Sequence, residues 1–195
     1  MLALFHFADA LHGGQRATIE WETMNAHIYL AGPGVFRADS LEHGARLKAL
    51  CAEWGFTGLY PLDKQAPEHI TQPLDQAAWI YRANLELLER ADAVLADLNF
   101  FRGGEPDSGT SFEVGYAVAR GKPVVGYLDG EGSYAERLQR QHPQLCGLPG
   151  FDCDGLHLEA FDLPLNLMLG VPLTLVTGGP EAALRRLADK LQELG

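Results

Sequence analysis

Compact apolar runs alternate with amphipathic stretches along most of the chain. His27–Ala31, Phe56–Tyr60, Ala93–Leu98, Val124–Leu128 and Val171–Thr177 read as strands, each bounded by Gly, Pro or Asp. Between them, apolar positions recur at helical spacing. Leu41, Ala45, Leu47, Leu50 and Cys51 follow a start at Asp39-Ser40 and stop at Gly55, and Ile80, Leu85, Leu87 and Leu88 mark a helix over Leu74–Arg90. A polar helix near Tyr134–Gln141 and an amphipathic one over Glu181–Leu194 complete the series. Without repeats or linkers, this alternation predicts a three-layer α/β domain, flavodoxin- or Rossmann-like, with about five mainly parallel strands. The exits of the first and third strands should then converge on one crevice.

One stretch between two strands concentrates the candidate chemistry: Pro106-Asp107-Ser108-Gly109-Thr110-Ser111-Phe112-Glu113-Val114-Gly115-Tyr116-Ala117. Asp107 or Ser108 can cap a helix that Gly121 closes and Pro123 prevents from continuing. Two carboxylates, Asp107 and Glu113, thus flank a helix N-terminus, whose free N–H groups and dipole favour an ionised neighbour. An ionised Glu there suits the role of nucleophile, or of stabiliser for a cationic, sugar-like transition state. The plainer alternative makes Asp107 a cap and Glu113 a solvated helix residue. Asp97, at the end of the preceding strand, is either a pocket carboxylate or a cap for the Asn99–Gly104 loop.

Composition narrows the partners. A net charge of −11 repels phosphate backbones and argues against nucleic acid, and no apolar run reaches the ~20 residues that cross a bilayer. Three cysteines, Cys51, Cys146 and Cys153, follow no disulfide framework, which favours a reducing, cytoplasmic setting. His142, Cys146, Cys153 and His157 have zinc-binding side chains, but their spacing fits no usual zinc motif, and ordinary loop thiols are the default. Residues 1–23 are apolar at first but lack a basic n-region, so a secretory signal is disfavoured. With Met24 ahead of the first strand, they read as an N-terminal extension to a domain spanning 24–195.

Asp-Ser-Gly-Thr-x-x-Glu-x-Gly-x-Ala, preceded by Ala-Asp-Leu and Phe-Arg-Gly-x-Glu-Pro, resembles the nucleoside 2-deoxyribosyltransferases. The likeness runs from Ile28-Tyr29-Leu30-Ala31-Gly32-Pro33 to Leu165-Asn166-Leu167-Met168. The resemblance implies that Glu113 is the catalytic nucleophile, oriented by Tyr29, and that Asp107 holds the sugar 5′-hydroxyl or assists at the base. It further implies a substrate-binding set of Gly32, Phe36, Asp63, Gln65, Asn84, Gly109, Asn166 and Met168. Phe36, an aromatic in the loop after the first strand, could stack on a base or merely pack, and by the resemblance Gln65 would meet a base edge. Asn166 and Met168 would reach a neighbouring subunit's site, so the implied assembly is a homo-oligomer with shared active sites. Some relatives carry Asp where this chain has Asn84, and Asn supplies no titratable proton to the leaving base.

The implied reaction exchanges the bases of 2′-deoxynucleosides with free nucleobases, with no metal and no organic cofactor. Two rivals stand beside it: a 2′-deoxynucleoside 5′-monophosphate N-glycohydrolase, against which the lack of a basic cluster counts, and a non-catalytic nucleotide-sensing module.

Overall fold

The structure is a computed structural model and describes residues 25–194. The extension read at residues 1–23 lies outside them. Five strands form one all-parallel sheet: β1 (His27–Ala31), β2 (Thr57–Leu59), β3 (Ala93–Asp97), β4 (Val124–Leu128) and β5 (Thr174–Thr177). Their order is β2-β1-β3-β4-β5, so the winding reverses between β1 and β3 and a crevice opens at the exits of those two strands. No described helix is long and apolar enough to cross a membrane.

The helices are α1 (Ser40–Glu53), α2 (Pro73–Arg90), α3 (Ser108–Ala119), α4 (Tyr134–Gln141), the four-residue α5 (Leu167–Gly170) and α6 (Pro180–Gln192). Strand alternation sorts the side chains into two cores. Ile28 and Leu30 of β1 join Leu95, Val125 and the buried residues of α1 and α6 on one face. Tyr29 and Ala31 point the other way, with Val94, Ala96, Leu87 and Leu88 of α2, and Val114 and Ala117 of α3. Because side chains alternate, Tyr29 necessarily faces the layer that carries Glu113.

Local signals explain the helix ends. The Asp107 carboxylate accepts the Thr110 N–H at 2.8 Å and so caps α3, whereas Gly121, at φ +70°, takes the left-handed turn beyond its last residue. Most boundaries differ from the sequence reading by one or two residues, and the start of β5 by three. Asn166 caps α5 through its side chain, and Val171 closes that helix in an αR conformation, so β5 starts at Thr174 and not at Val171. Short 3₁₀ turns, Pro33–Phe36 and Pro61–Asp63, occupy the exits of β1 and β2.

Candidate active site

The site is built on a hydrogen bond across the crevice. Tyr29, fully buried in the middle of β1, donates its hydroxyl to Glu113 Oε1 at 2.6 Å. Glu113 lies in the second turn of α3, and its Oε2 has no partner among the described residues. Burial is the main influence on this carboxyl and pushes it up to about 7. The Tyr29 hydrogen bond opposes that rise, and the nearby Asp107 charge adds to it. The Tyr29 phenol is driven far above its ordinary value, first by burial and then by the Glu113 charge, and so stays a donor.

This corrects the expectation that the helix N-terminus keeps Glu113 readily ionised. The helix start serves Asp107, whose Oδ2 accepts from Thr110 N at 2.8 Å and from Thr110 Oγ1 at 2.9 Å. Glu113 sits beyond the free N–H groups of the first turn and experiences desolvation above all. Gly109 allows Asp107 to fold back over the helix, since a Cβ there would stand 3.1 Å from Asp107 Oδ2.

Gly32 is needed for close approach. A Cβ on it would lie 2.8 Å from Asp97 Cβ, so glycine lets the β1 exit close against β3. Asp97 acts as a pin for the loop that follows it, its Oδ1 accepting from Asn99 N at 3.1 Å and Asn99 Nδ2 at 2.8 Å. Asn99 passes the restraint on by accepting the Asp129 N–H at 2.6 Å. The two walls also meet through Phe36 and Phe101, whose rings stack at 5.4 Å and 19°.

The other residues expected at the site divide into two groups. Asn84 presents a buried Oδ1 that no described group satisfies, as an acceptor awaiting a ligand donor would. Gln65 is exposed on the loop after β2. Asp63 is tied into the fold, because its Oδ2 accepts from Tyr60 N at 2.9 Å and its Oδ1 pairs with Lys48. Asn166 is held within its own chain: Oδ1 accepts from Met168 N at 2.9 Å, and Nδ2 donates to Glu159 Oε1 at 2.6 Å. Met168 is 73% exposed.

Sequence reasoning overlooked Glu159, whose second oxygen takes the Leu167 N–H at 2.7 Å. It lies in the aperiodic section between Pro143 and Pro164, where no spacing singles it out. His142, Cys146, Cys153 and His157 do not gather, and among the described residues no three His, Cys, Asp or Glu side chains meet in a metal-holding group. His142 packs on Phe100 and His157 on Phe151. A separate cleft of about 380 Å³ at the exits of β4 and β5 includes Ser133 and Glu136, which bond to each other in the cap of α4. Neither Tyr29 nor Glu113 lines it.

The sequence model described as nucleoside 2-deoxyribosyltransferase matches residues 28–168. The chain belongs to that family. A 2-desoxiribosyltransferase from Leishmania mexicana has a similar structure, with a TM-score of 0.65 and 31% identity over 84% of this chain and 97% of that one. An uncharacterised protein of Schizosaccharomyces pombe is 32% identical over 150 residues, 69% of this chain and 71% of the relative. A conserved protein of Enterococcus faecalis shares the fold, with a TM-score of 0.53 and 22% identity over 87% of this chain and 99% of that one. Within the family's span fall Tyr29, Asp107, Glu113 and Asn166. The chain is accordingly an enzyme of the nucleoside deoxyribosyltransferase type, and the family implies nucleosides and nucleobases as its substrates.

Proposed function

We propose that this protein transfers the 2-deoxyribosyl group between nucleobases by two displacements at C1′, with Glu113 as nucleophile. The observation that carries the reading is the 2.6 Å bond from the buried Tyr29 hydroxyl to Glu113 Oε1 at the β1/β3 crevice. Tyr29 fixes one oxygen and leaves Oε2 to attack. In the first step Oε2 bonds to C1′ and the C1′–N bond breaks, its electron pair leaving with the base. In the second, a nitrogen of the incoming base bonds to C1′ and the ester C–O bond breaks. Two inversions retain configuration, as in retaining glycoside chemistry with a base in place of water. The proton lost by the incoming base balances the one gained by the departing base. All of these roles use the chain's own side chains.

The same reading gives Asp107 the sugar 5′-hydroxyl or the base, since only its Oδ2 is engaged by Thr110. It makes Phe36, Asn84 and Gln65 base contacts. A second copy of the chain would complete the site with Asn166 and Met168. Two features support an assembly: the exposed Tyr81 and Phe112, in ring contact across α2 and α3 and continued by the half-buried Tyr116, and the exposed Met168 and Val171 nearby in sequence to Asn166. The cytoplasmic setting belongs to this proposal as well.

Incubating the protein with deoxyinosine and adenine tests it. Formation of deoxyadenosine, together with a mass increase of one deoxyribosyl group on Glu113 when the acceptor is withheld, is the expected result. Release of free deoxyribose at the same rate with and without adenine would instead make water the acceptor. Binding of deoxynucleosides without turnover would leave a sensing module.

A further inference from the structure

Among the described residues, Arg102 is a cation of the crevice without a carboxylate partner. Of the two cations on the exits of β1 and β3, Arg37 is bound to Asp39 at 2.7 Å. Arg102 has no carboxylate partner among the described residues; its guanidinium lies 5.0 Å from the Phe36 ring centroid and 4.5 Å from that of Phe101. These are the rings that stack across the two walls, so the cation lies against the aromatic pair that, on the reading above, receives the base. Its backbone is held there in the left-handed region, at φ +55°, within a loop closed by the Phe101 N–H to Glu105 O bond at 2.8 Å.

Such a charge answers a need that the reaction creates. When the C1′–N bond breaks, its electron pair goes to the base, which departs as an anion unless a proton or a cation meets it. Asn84 has no titratable proton, Tyr29 is committed to Glu113, Asp97 is tied to Asn99, and Asp107, which caps α3 through Oδ2, is on this reading left to the sugar 5′-hydroxyl. A guanidinium lying in the plane of the base, at its edge, can stabilise the anion without transferring a proton. Its parallel N–H groups match two adjacent acceptors on a purine edge, the ring N7 and a 6-oxo group. Adenine offers N7 beside an amino donor and satisfies only one of them.

Resting on the transfer reaction above, we propose that Arg102 binds the departing base and makes 6-oxopurine deoxynucleosides the preferred donors. By reversibility, the same contact guides a 6-oxopurine as acceptor. The proton balance is unchanged, because the incoming base supplies what the departing anion finally takes up.

The test is Arg102→Gly, since glycine accepts the left-handed backbone, with Arg102→Lys beside it. Each is assayed with deoxyinosine and with deoxyadenosine as donors and 2,6-diaminopurine as the common acceptor. Arg102→Gly should lower kcat/KM for deoxyinosine by roughly 10- to 100-fold, the scale on which a two-bond arginine contact discriminates purine edges. It should lower the deoxyadenosine value less, and added guanidinium ion should restore part of the deoxyinosine rate. Arg102→Lys should retain charge but lose the preference between donors. An equal loss for both donors, no loss, or a loss seen only with 5′-monophosphates would overturn the inference while leaving the transferase reading intact. A wild-type protein that transfers no deoxyribose would remove that reading, and this inference with it.

Discussion

Replacing Glu113 by Gln removes the proposed nucleophile and a buried charge together, and pH separates the two effects. Burial lifts the Glu113 carboxyl from 4.5 to about 7 in the folded protein. The folded state therefore holds this proton more tightly than the unfolded chain does. Its contribution to stability is fully present below pH 4.5 and is lost as pH rises to about 7. At 1.36 kcal/mol per pH unit, the ionised carboxylate destabilises the fold by about 3 kcal/mol above pH 8, against under about 1 kcal/mol at pH 5. Glutamine keeps the shape and an acceptor for Tyr29 but never ionises. Glu113→Gln should thus melt close to the wild type at pH 5 and roughly 5–10 °C above it at pH 8, given about 2–4 °C per kcal/mol for a domain of this size. Turnover in the deoxyinosine–adenine assay should fall roughly 10³-fold or more, because the ester no longer forms. Wild-type kcat/KM should climb with pH up to about 7 and then level off. Melting curves from pH 5 to 8.5 on both proteins decide the matter. A stability gap that does not widen with pH, or near-normal turnover in the Gln variant, would refute the reasoning.

Tyr29→Phe removes a hydrogen bond to a charged group, worth about 1.5–3 kcal/mol, so the rising limb of the pH–rate profile should move up by about 1–2 pH units. A profile that keeps its midpoint would show that Tyr29 only packs. Ribonucleosides should react far more slowly than deoxyribonucleosides, because a 2′-hydroxyl withdraws electrons from the cationic transition state and crowds Glu113; equal rates for inosine and deoxyinosine would count against attack at C1′ by this residue. Asn166→Ala should raise KM through loss of a hydrogen bond of about 1 kcal/mol, and Glu159→Ala, which frees Asn166 Nδ2, should mimic it while Glu159→Gln partly restores it. If Asn166 serves a second chain, mixing inactive Glu113→Gln subunits with subunits inactivated in the Asn166 loop should recover activity once exchange is confirmed. No recovery would place Asn166 in its own chain's pocket.

The alternation of apolar runs and amphipathic stretches was enough to read the layers and the β1/β3 crevice, because strands buried on both faces have few other ways to be covered. Asp107 was legible as a cap because capping is local chemistry, confined to residues 107–110. The Tyr29–Glu113 contact came from the family likeness, since 84 residues separate the partners and no spacing rule links them. The Glu113 environment ran against the local signal: proximity to a helix N-terminus suggested easy ionisation, and tertiary burial reversed it. Asp63 illustrates the same limit. In the sequence it is one polar residue of an exit loop, and only the fold shows its carboxylate bound to Tyr60 N and Lys48.

Two residues whose contacts the sequence does not show, one of them inside the Phe-Arg-Gly-x-Glu-Pro motif, share a physical origin that bears on function. Glu159 and Arg102 lie where the chain has no period, and each gains its meaning from a partner on another segment: Asn166 for one, Phe36 for the other. Regular elements supply the rigid part of the site, the Tyr29–Glu113 pair on β1 and α3. The irregular segments supply the groups that would contact the base and the sugar. Loop residues are released from core packing and so are free to vary with the substrate, whereas Tyr29 is fixed twice, by a buried face and by the carboxylate it holds. Differences in base preference among relatives should therefore track the loops around Phe36, Arg102 and Asn166, while the Tyr29–Glu113 geometry stays constant. A relative with the same pair but a different residue at the Arg102 position should keep transfer and lose the 6-oxopurine bias. Loss of transfer altogether in such a relative, with the pair intact, would show that the loops and the rigid core are not separable in this way.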